Sequence, residues 1–340
     1  MTKQQAAFIW SKVMILVTGG AGYIGSHFIR HYLTQNPSET VVAVDNLSEG
    51  HPEALDFSSQ VKLVKTPIGD KDQMVSLFKQ YDIQSVIHFA ASCYVGESQE
   101  NPAKYFENNV QETLRLFDAM ETCGIKQIVF SSTCATYGNP KYVPIDEAHP
   151  QQPINVYGST KLITEQTLRA YALAKGWSYV ALRYFNAAGA DDSGQIGESH
   201  YPETHLIPLI LQVAAGKRKS IHIYGNDYDT PDGTCIRDYI HINDLASAHS
   251  LAIEYLKKHP GGEAFNLGTT QGASVLEVID HCKTVTGKEI PTEVVPRRPG
   301  DPPILVANAD KAETQLGWKP KYTLPRIIET AWHWEQHRRY

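Results

Sequence analysis

Val13-Met14-Ile15-Leu16-Val17-Thr18-Gly19-Gly20-Ala21-Gly22-Tyr23-Ile24-Gly25 decides how this chain folds. Its first five residues are an unbroken apolar run rich in branched side chains, the pattern of a strand buried in a parallel sheet. Glycines 19, 22 and 25 follow at intervals of three, and Ile24, Phe28, Ile29, Tyr32 and Leu33 then recur at helical spacing. A glycine-rich turn between strand and helix lets the backbone approach a pyrophosphate. The helix start then offers N–H groups and a positive dipole end to the anion. A second run, Val41-Val42-Ala43-Val44, ends at Asp45, about 20 residues past the last glycine, where a carboxylate suits a ribose 2′-hydroxyl. A 2′-phosphate would be repelled there. Strand, glycines, helix, strand and acid in this order predict an NAD site.

Outward from this unit, strand and helix continue to alternate. Residues 61–64, 85–89, 127–130 and 179–182 read as strands, and residues 72–80, 105–121 and 159–175 as helices. This alternation predicts an α/β fold, a doubly wound parallel-sheet Rossmann domain. Ligands of such sheets sit outside the carboxyl ends of the strands, and Gly19, Asp45, Phe89, Thr133 and Asn186 fall just past the expected strand ends. After Asn186 the segments shorten, and Pro202, Pro208, Gly225, Pro231 and Gly233 interrupt them. Helices are expected over 206–215, 243–258 and 325–337, and a strand over 291–295. The expected division is an NAD-binding domain over 13–186 and a smaller mixed α/β substrate-binding lobe over 187–340, with later segments returning to the main sheet.

A formal net charge of −6 argues against broad binding to nucleic acid or an anionic membrane. No apolar run approaches the roughly 20 residues a membrane helix needs. Residues 1–12 read as a short extension, their Ala-Ala-Phe-Ile-Trp run being too short for a signal sequence. The five cysteines (Cys93, Cys123, Cys134, Cys235, Cys282) form no Cys-x-x-Cys pair, so neither zinc nor a disulfide framework is expected. Free thiols without an export signal point to the cytoplasm. Fourteen histidines include no His-Glu-x-x-His or similar spacing, and no metal is expected.

Tyr157-Gly158-Ser159-Thr160-Lys161 sets a phenol and an ammonium four residues apart, on one face of the expected helix. On its own this spacing is common on solvated helices. Beside a dinucleotide site it has a chemical use. A tyrosine pKa of about 10 is too high for a base at neutral pH. A fixed positive charge nearby favours the phenolate and makes a proton acceptor. With a nicotinamide cofactor the matching reaction is alcohol oxidation by hydride transfer. Thr133, at the end of the preceding strand, can bond the same substrate oxygen.

Further stretches carry a family resemblance: Val95-Gly96-Glu97-Ser98, Asn108-Asn109-Val110, Tyr224-Gly225-Asn226-Asp227-Tyr228, Ile236-Arg237-Asp238-Tyr239-Ile240-His241 and Arg297-Arg298-Pro299-Gly300-Asp301. With the glycine and Tyr/Lys motifs, they make the chain resemble the extended short-chain dehydrogenases/reductases and, among them, the UDP-galactose (UDP-glucose) 4-epimerases. The resemblance implies that NAD stays bound while Tyr157 accepts the 4′-hydroxyl proton of a UDP-sugar and C4′ gives up hydride. A 4-keto sugar then turns over and takes hydride back on its other face. Lys161 would bond the nicotinamide ribose and lower the pKa of Tyr157, and Thr133 would hold the reacting oxygen. Besides Tyr157 and Lys161, the resemblance assigns Gly19, Gly22, Tyr23, Ile24, Gly25, Asp45, Asn46, Ile68, Asp70, Phe89, Ala90, Ala91, Asn108 and Tyr184 to the cofactor, with Asp70 at the adenine edge. It assigns Arg237 and Arg298 to the substrate diphosphate, Asn186 to the diphosphate or sugar and Asp301 to the uridine ribose. Tyr239, His205, Leu206 and Tyr224 complete the substrate side. It also implies a homodimer through the helices over 105–121 and 159–175. Taken singly, Arg237 beside Asp238 also reads as an internal ion pair, and Asp301 before Pro302-Pro303 as the start of a turn.

The chain departs from the family at two positions. Cys93 stands where many members place a lysine facing the cofactor, which implies weaker cofactor retention. Leu305 replaces a bulky aromatic found in some members, which implies room for an N-acetyl group and acceptance of UDP-N-acetylglucosamine or UDP-N-acetylgalactosamine. Cys134-Ala135 follow Thr133 where the related 4,6-dehydratases place Asp-Glu, so elimination would lack its acid and base. A 4-epimerase of UDP-xylose/arabinose or UDP-glucuronate would use the same machinery and stays an alternative. So does a catalytically silent NAD-binding sensor, although such proteins often lose the tyrosine or lysine that this chain keeps.

Overall fold

Strands β1 (Met14–Thr18), β2 (Val41–Asp45), β3 (Val61–Lys65), β4 (Ile83–His88), β5 (Gln127–Thr133) and β6 (Ser178–Tyr184) form a parallel sheet, closed at one edge by the strand Gly262–Leu267. The computed structural model describes residues 14–298 and 301–340. The expectations for residues 1–12, Val13 and Pro299-Gly300 lie outside the described residues. Across the sheet the order is Gly262–Leu267, β6, β5, β4, β1, β2, β3. The chain starts at the centre, winds out to β3, then returns past β1 and winds the other way. The reversal between β1 and β4 opens a crevice at the carboxyl ends of the strands.

Both faces of the sheet are covered, which is why its central strands are apolar throughout. Ile15, Leu16, Val17 and Val41 to Val44 are fully buried. One face packs on helix α1 (Tyr23–Gln35) and Ile242–Leu256 through Phe28, Ile29, Leu245 and Ala252; the other packs on Met74, Leu77, Phe117 and Leu168.

Beyond Asn186 a second sheet forms around Ile236–His241. Asn186–Ala188 and Ile304–Leu305 pair with it in parallel, and Gly272–Ser274 antiparallel. This register sets Asn186 opposite Tyr239 and Leu305 opposite Arg237. The strand expected over 291–295 runs Thr292–Val295 and pairs with Ile221–Tyr224. The expected return to the main sheet is made by Gly262–Leu267 beside β6. Among the described residues no helix is long and apolar enough to cross a membrane.

Three boundaries differ from the sequence reading in ways that shape the site. The helix read over 159–175 begins at Val156, because Asn155 caps it by accepting the Gly158 N–H at 2.7 Å. Tyr157 therefore lies within the first turn. The strand read over 127–130 runs on to Thr133, held by β6 up to the Thr133–Tyr184 pair. The helix read over 105–121 is Pro102–Tyr105, a π-helical Phe106–Gln111 and Glu112–Cys123.

Candidate active site

Two glycines shape the turn after β1. Gly19 has φ +66°, and a Cβ there would stand 2.8 Å from the Ala90 nitrogen. A Cβ on Gly25 would overlap the Gly19 carbonyl oxygen, so α1 starts tight against the turn. Gly22 caps α1 without a side-chain bond, and no acid occupies the first turn. The helix start keeps backbone donors and a positive dipole end for an anion.

Asp45 ends β2 and is buried. Its Oδ2 accepts the Ala21 N–H at 3.0 Å and its Oδ1 the Leu47 N–H at 2.8 Å. Burial raises its pKa, and these two bonds oppose the rise. A carboxylate has about four acceptor positions, so capacity remains for ribose hydroxyls. Turn, bare helix start and carboxylate together fit a dinucleotide such as NAD.

The other expected cofactor residues surround this crevice. Phe89 donates its N–H to Thr18 O at 3.1 Å, the partly buried Ala90 and Ala91 follow, and Ile24 and Ile68 pack nearby. Asn46 is exposed. Asp70 is also exposed and accepts the Gln73 N–H at 3.0 Å to cap the helix Lys71–Gln80. The Tyr23 hydroxyl donates to Gly189 O at 2.7 Å, tying α1 to the second sheet's side of the molecule.

Tyr157 and Lys161 enter on the helix Val156–Lys175, whose start is sealed. Gln99 Oε1 accepts the Val156 N–H at 2.9 Å, Ser98 Oγ the Tyr157 N–H at 3.2 Å and Asn155 the Gly158 N–H. Ser98 and Gln99 sit on the short helix Val95–Glu100, and sequence reasoning assigned neither a role. Asn109 was missed too. It is buried in the π-helical turn, accepts the Ser92 N–H at 2.8 Å and donates to Ser92 O at 3.0 Å and Thr160 Oγ1 at 3.1 Å. It ties the loop after β4 to the Tyr157 helix. Its partners are 17 and 51 residues away, beyond any local pattern. Asn108, the residue expected to bind the cofactor, is partly exposed and donates to Ser92 Oγ at 3.2 Å.

Lys161 Nζ is buried, donates to Ser131 O at 2.8 Å and lies 5.9 Å from the centre of the Tyr157 ring. Burial lowers its pKa to about 8, with Cys93 and Glu165 opposing. The Tyr157 pKa is raised well above its ordinary value, first by burial, then by Tyr184 and Cys93, while Thr133 as a hydrogen-bond partner lowers it. Desolvation of the phenolate is the largest influence on Tyr157 in the protein alone. Cys93 is exposed and follows the partly buried Ala91 and Ser92 in the loop after β4. The Tyr184 hydroxyl is bonded to Ser131 Oγ.

Thr133 Oγ1 accepts the Ala135 N–H at 3.1 Å. Desolvation pushes the Cys134 thiol up to about 12, so at neutral pH neither Cys134 nor Ala135 is an acid/base group for elimination. Cys134 packs in one cluster with Leu305, which pairs with Arg237 in the second sheet, so this sheet comes close to Thr133.

One helical turn beyond Lys161, Glu165 accepts from Arg183 of β6, Nε to Oε1 at 3.0 Å and Nη2 to Oε2 at 2.6 Å. Arg183 also donates to the Tyr137 hydroxyl at 3.0 Å, which donates to Asn266 at 2.7 Å. This buried pair fixes the Tyr157 helix on the sheet. His88 bridges Thr18 Oγ1 at 2.7 Å and Thr113 Oγ1 at 3.0 Å, and burial lowers its pKa to about 3.

In the second sheet Arg237, expected to bind the substrate, pairs with Asp301 and donates to Ile236 O at 2.7 Å. It does not pair with Asp238, which corrects the alternative read from their adjacency. Buried Asp238 instead accepts the N–H groups of Thr269 at 2.8 Å and of Thr270 and Ala307, each at 3.2 Å. Asn186 donates to Asp238 O at 3.1 Å, and Tyr239 is buried across from it. The Arg298 guanidinium lies 3.9 Å over the Tyr224 ring, and that of Arg297 4.1 Å over Tyr228. Two distant motifs meet through these stacks. His205 bonds to Glu198 at 2.7 Å, next to the partly buried Leu206. Leu305 packs beside Tyr137, Ile145, Phe185 and Cys134.

The family model described as GDP-mannose 4,6 dehydratase matches residues 16–331. The UDP-glucose 4-epimerase of Halalkalibacterium halodurans is 52% identical over 323 residues, 95% of this chain and 95% of that protein. The crystal structure of UDP-glucose 4-epimerase from Brucella ovis in complex with NAD superposes with a TM-score of 0.90 at 49% identity, covering 95% of this chain and 98% of that one. The structure of the enzyme from Bifidobacterium longum in complex with NAD+ and UDP matches with a TM-score of 0.91 at 40% identity, over 96% and 99% of the two chains.

Proposed function

Because the chain belongs to the UDP-glucose 4-epimerase family, we propose that it is an NAD-dependent isomerase interconverting UDP-galactose and UDP-glucose, with Tyr157 as its base. The observation that carries the reading is a buried phenol beside Thr133 and Lys161, at the crevice whose glycine turn fits the cofactor. The turn residues 19–25 and Asp45 hold NAD, which supplies a hydride acceptor and donor when bound. Tyr157 takes the proton from the sugar 4′-hydroxyl and later returns it. The raised pKa favours the return, and the Lys161 ammonium favours the phenolate. The Thr133 hydroxyl holds the reacting oxygen.

Arg237 and Arg298 grip the diphosphate, where guanidinium forks suit phosphate oxygens. Asp301 and Tyr239 serve the nucleotide. The sugar end meets the neutral hydroxyl of Thr133. Firm hold on the UDP and few bonds to the sugar let a 4-keto sugar present either face. The active form is a cytoplasmic homodimer that covers Leu114, 40% exposed, and Leu173, 81% exposed, on the helices Glu112–Cys123 and Val156–Lys175. Sedimentation as a monomer would refute that part.

Leu305, seated beside Cys134, favours a second reading in which UDP-N-acetyl sugars also enter. No interconversion of those sugars at high enzyme concentration would remove it. The main reading is tested by incubating the purified protein with UDP-galactose and separating the products. An equilibrium mixture with UDP-glucose is expected. No conversion, even with NAD added, overturns it and brings UDP-pentoses and UDP-uronates forward.

A further inference from the structure

We propose that Glu198, His200, Glu203 and His205 form a site for one divalent transition-metal ion, and that Zn2+ suits its donor set best. Among the described residues, this is the one group of three or more His, Cys, Asp or Glu whose ligand atoms all lie within 4.8 Å of one another. Two imidazole nitrogens and two carboxylate oxygens are donors that zinc takes in tetrahedral geometry, whereas magnesium and calcium prefer oxygen alone. Zinc bonds of about 2.0–2.1 Å imply a tetrahedron edge of about 3.3–3.4 Å. The separations here bracket that edge. His200 Nδ1 is 3.2 Å from Glu198 Oε1 and 3.8 Å from Glu203 Oε2, and His205 Nδ1 is 2.7 Å from Glu198 Oε1 and 3.0 Å from Glu203 Oε1.

Two further observations support an ion. The His200 Nδ1 is buried yet has no hydrogen bond of acceptable geometry, although its side chain is only 13% exposed. Two carboxylates, each with a side chain 6% exposed, meet two imidazoles out of water, and one divalent ion would take the place of the imidazolium protons as their partner. Glu203 is already oriented by the N–H groups of Thr204 at 2.7 Å and His205 at 2.9 Å. The spacing Glu-x-His-x-x-Glu-x-His belongs to a loop, not to a helix, so a search for helical ligand motifs passes over it. The ion would fasten this loop ahead of the helix Leu206–Ala214. His200 meets Tyr94 and Tyr23 edge-on there, at 5.8 and 6.3 Å between ring centres.

The test begins with whole protein stripped by EDTA and titrated with Zn2+ against a chromophoric chelator. One tightly held Zn2+ per chain is expected. His200→Asn and Glu203→Gln should each weaken it by about tenfold or more, while His222→Asn, outside the cluster, should leave it unchanged. Wild-type binding no tighter than that of His200→Asn overturns the proposal. Should the variants not fold, the unaltered chain is loaded with Co2+. The strong visible absorption of tetrahedral cobalt is expected, and its absence also overturns the site.

Discussion

On the cofactor side of the crevice, Gly19, Gly25 and the bare start of α1 present backbone, and the buried acid Asp45 is already braced by two N–H groups. On the substrate side, Arg237 faces Asp301 and Arg298 lies over Tyr224. Two helix starts sharpen the contrast. That of α1 is uncapped, whereas the helix bearing Tyr157 has its first three N–H groups taken by Gln99, Ser98 and Asn155. The open start is suited to an anion; the sealed one holds a reacting side chain still. A cofactor that stays can be held by shape, and a substrate whose sugar must turn over is better held by charge at its far end.

Removing what fixes the Tyr157 helix should cost most. Glu165→Gln leaves the buried Arg183 without its carboxylate, and about 3–5 kcal/mol of stability should be lost in urea unfolding. A loss near zero would mean the pair does not anchor the helix. Gly25→Ala comes next, because overpacking costs about 1–3 kcal/mol, or about ten- to hundredfold in NAD affinity. UDP binding measured by calorimetry should be unchanged, and equal losses for both ligands would break the division between the sides. Arg298→Ala should do the reverse, raising the KM for UDP-galactose about tenfold with little change in NAD affinity.

The smallest effect is in pH. Burial lowers His88 to about 3 and His249 to about 4, so between those values and about 6.5 the unfolded chain binds more protons than the folded one. Their contribution is complete above about 6.5 and lost as pH falls. Urea midpoints should therefore fall on the acid flank, and His88→Gln should flatten that fall. An acid flank as steep in His88→Gln as in wild type would refute the assignment.

The cofactor side was largely legible in the sequence because its determinants are local. Glycines three apart, a strand before them and Asp45 after them lie within one βαβ unit, and the structure puts them together as read. The substrate side was legible only through family resemblance. Asn186, Arg237 and Leu305 become neighbours through the register of a sheet whose strands lie far apart in the chain. Asn109, Ser98, Gln99 and Glu165 escaped for the same reason. Each acts through a partner across the fold, and although Ser98 and Asn109 lie in stretches that carry the family resemblance, no local pattern gives either its role. The burial of Tyr157, which raises its pKa, was likewise invisible, because a sequence shows the nearby lysine but not the desolvation.

The central claim is that one buried tyrosine moves the proton while charges elsewhere hold the substrate. Its most direct test measures turnover of UDP-galactose and UDP affinity together in wild type and Tyr157→Phe. The account predicts turnover reduced about 10²- to 10⁴-fold with UDP affinity intact. Turnover equal to wild type would contradict it.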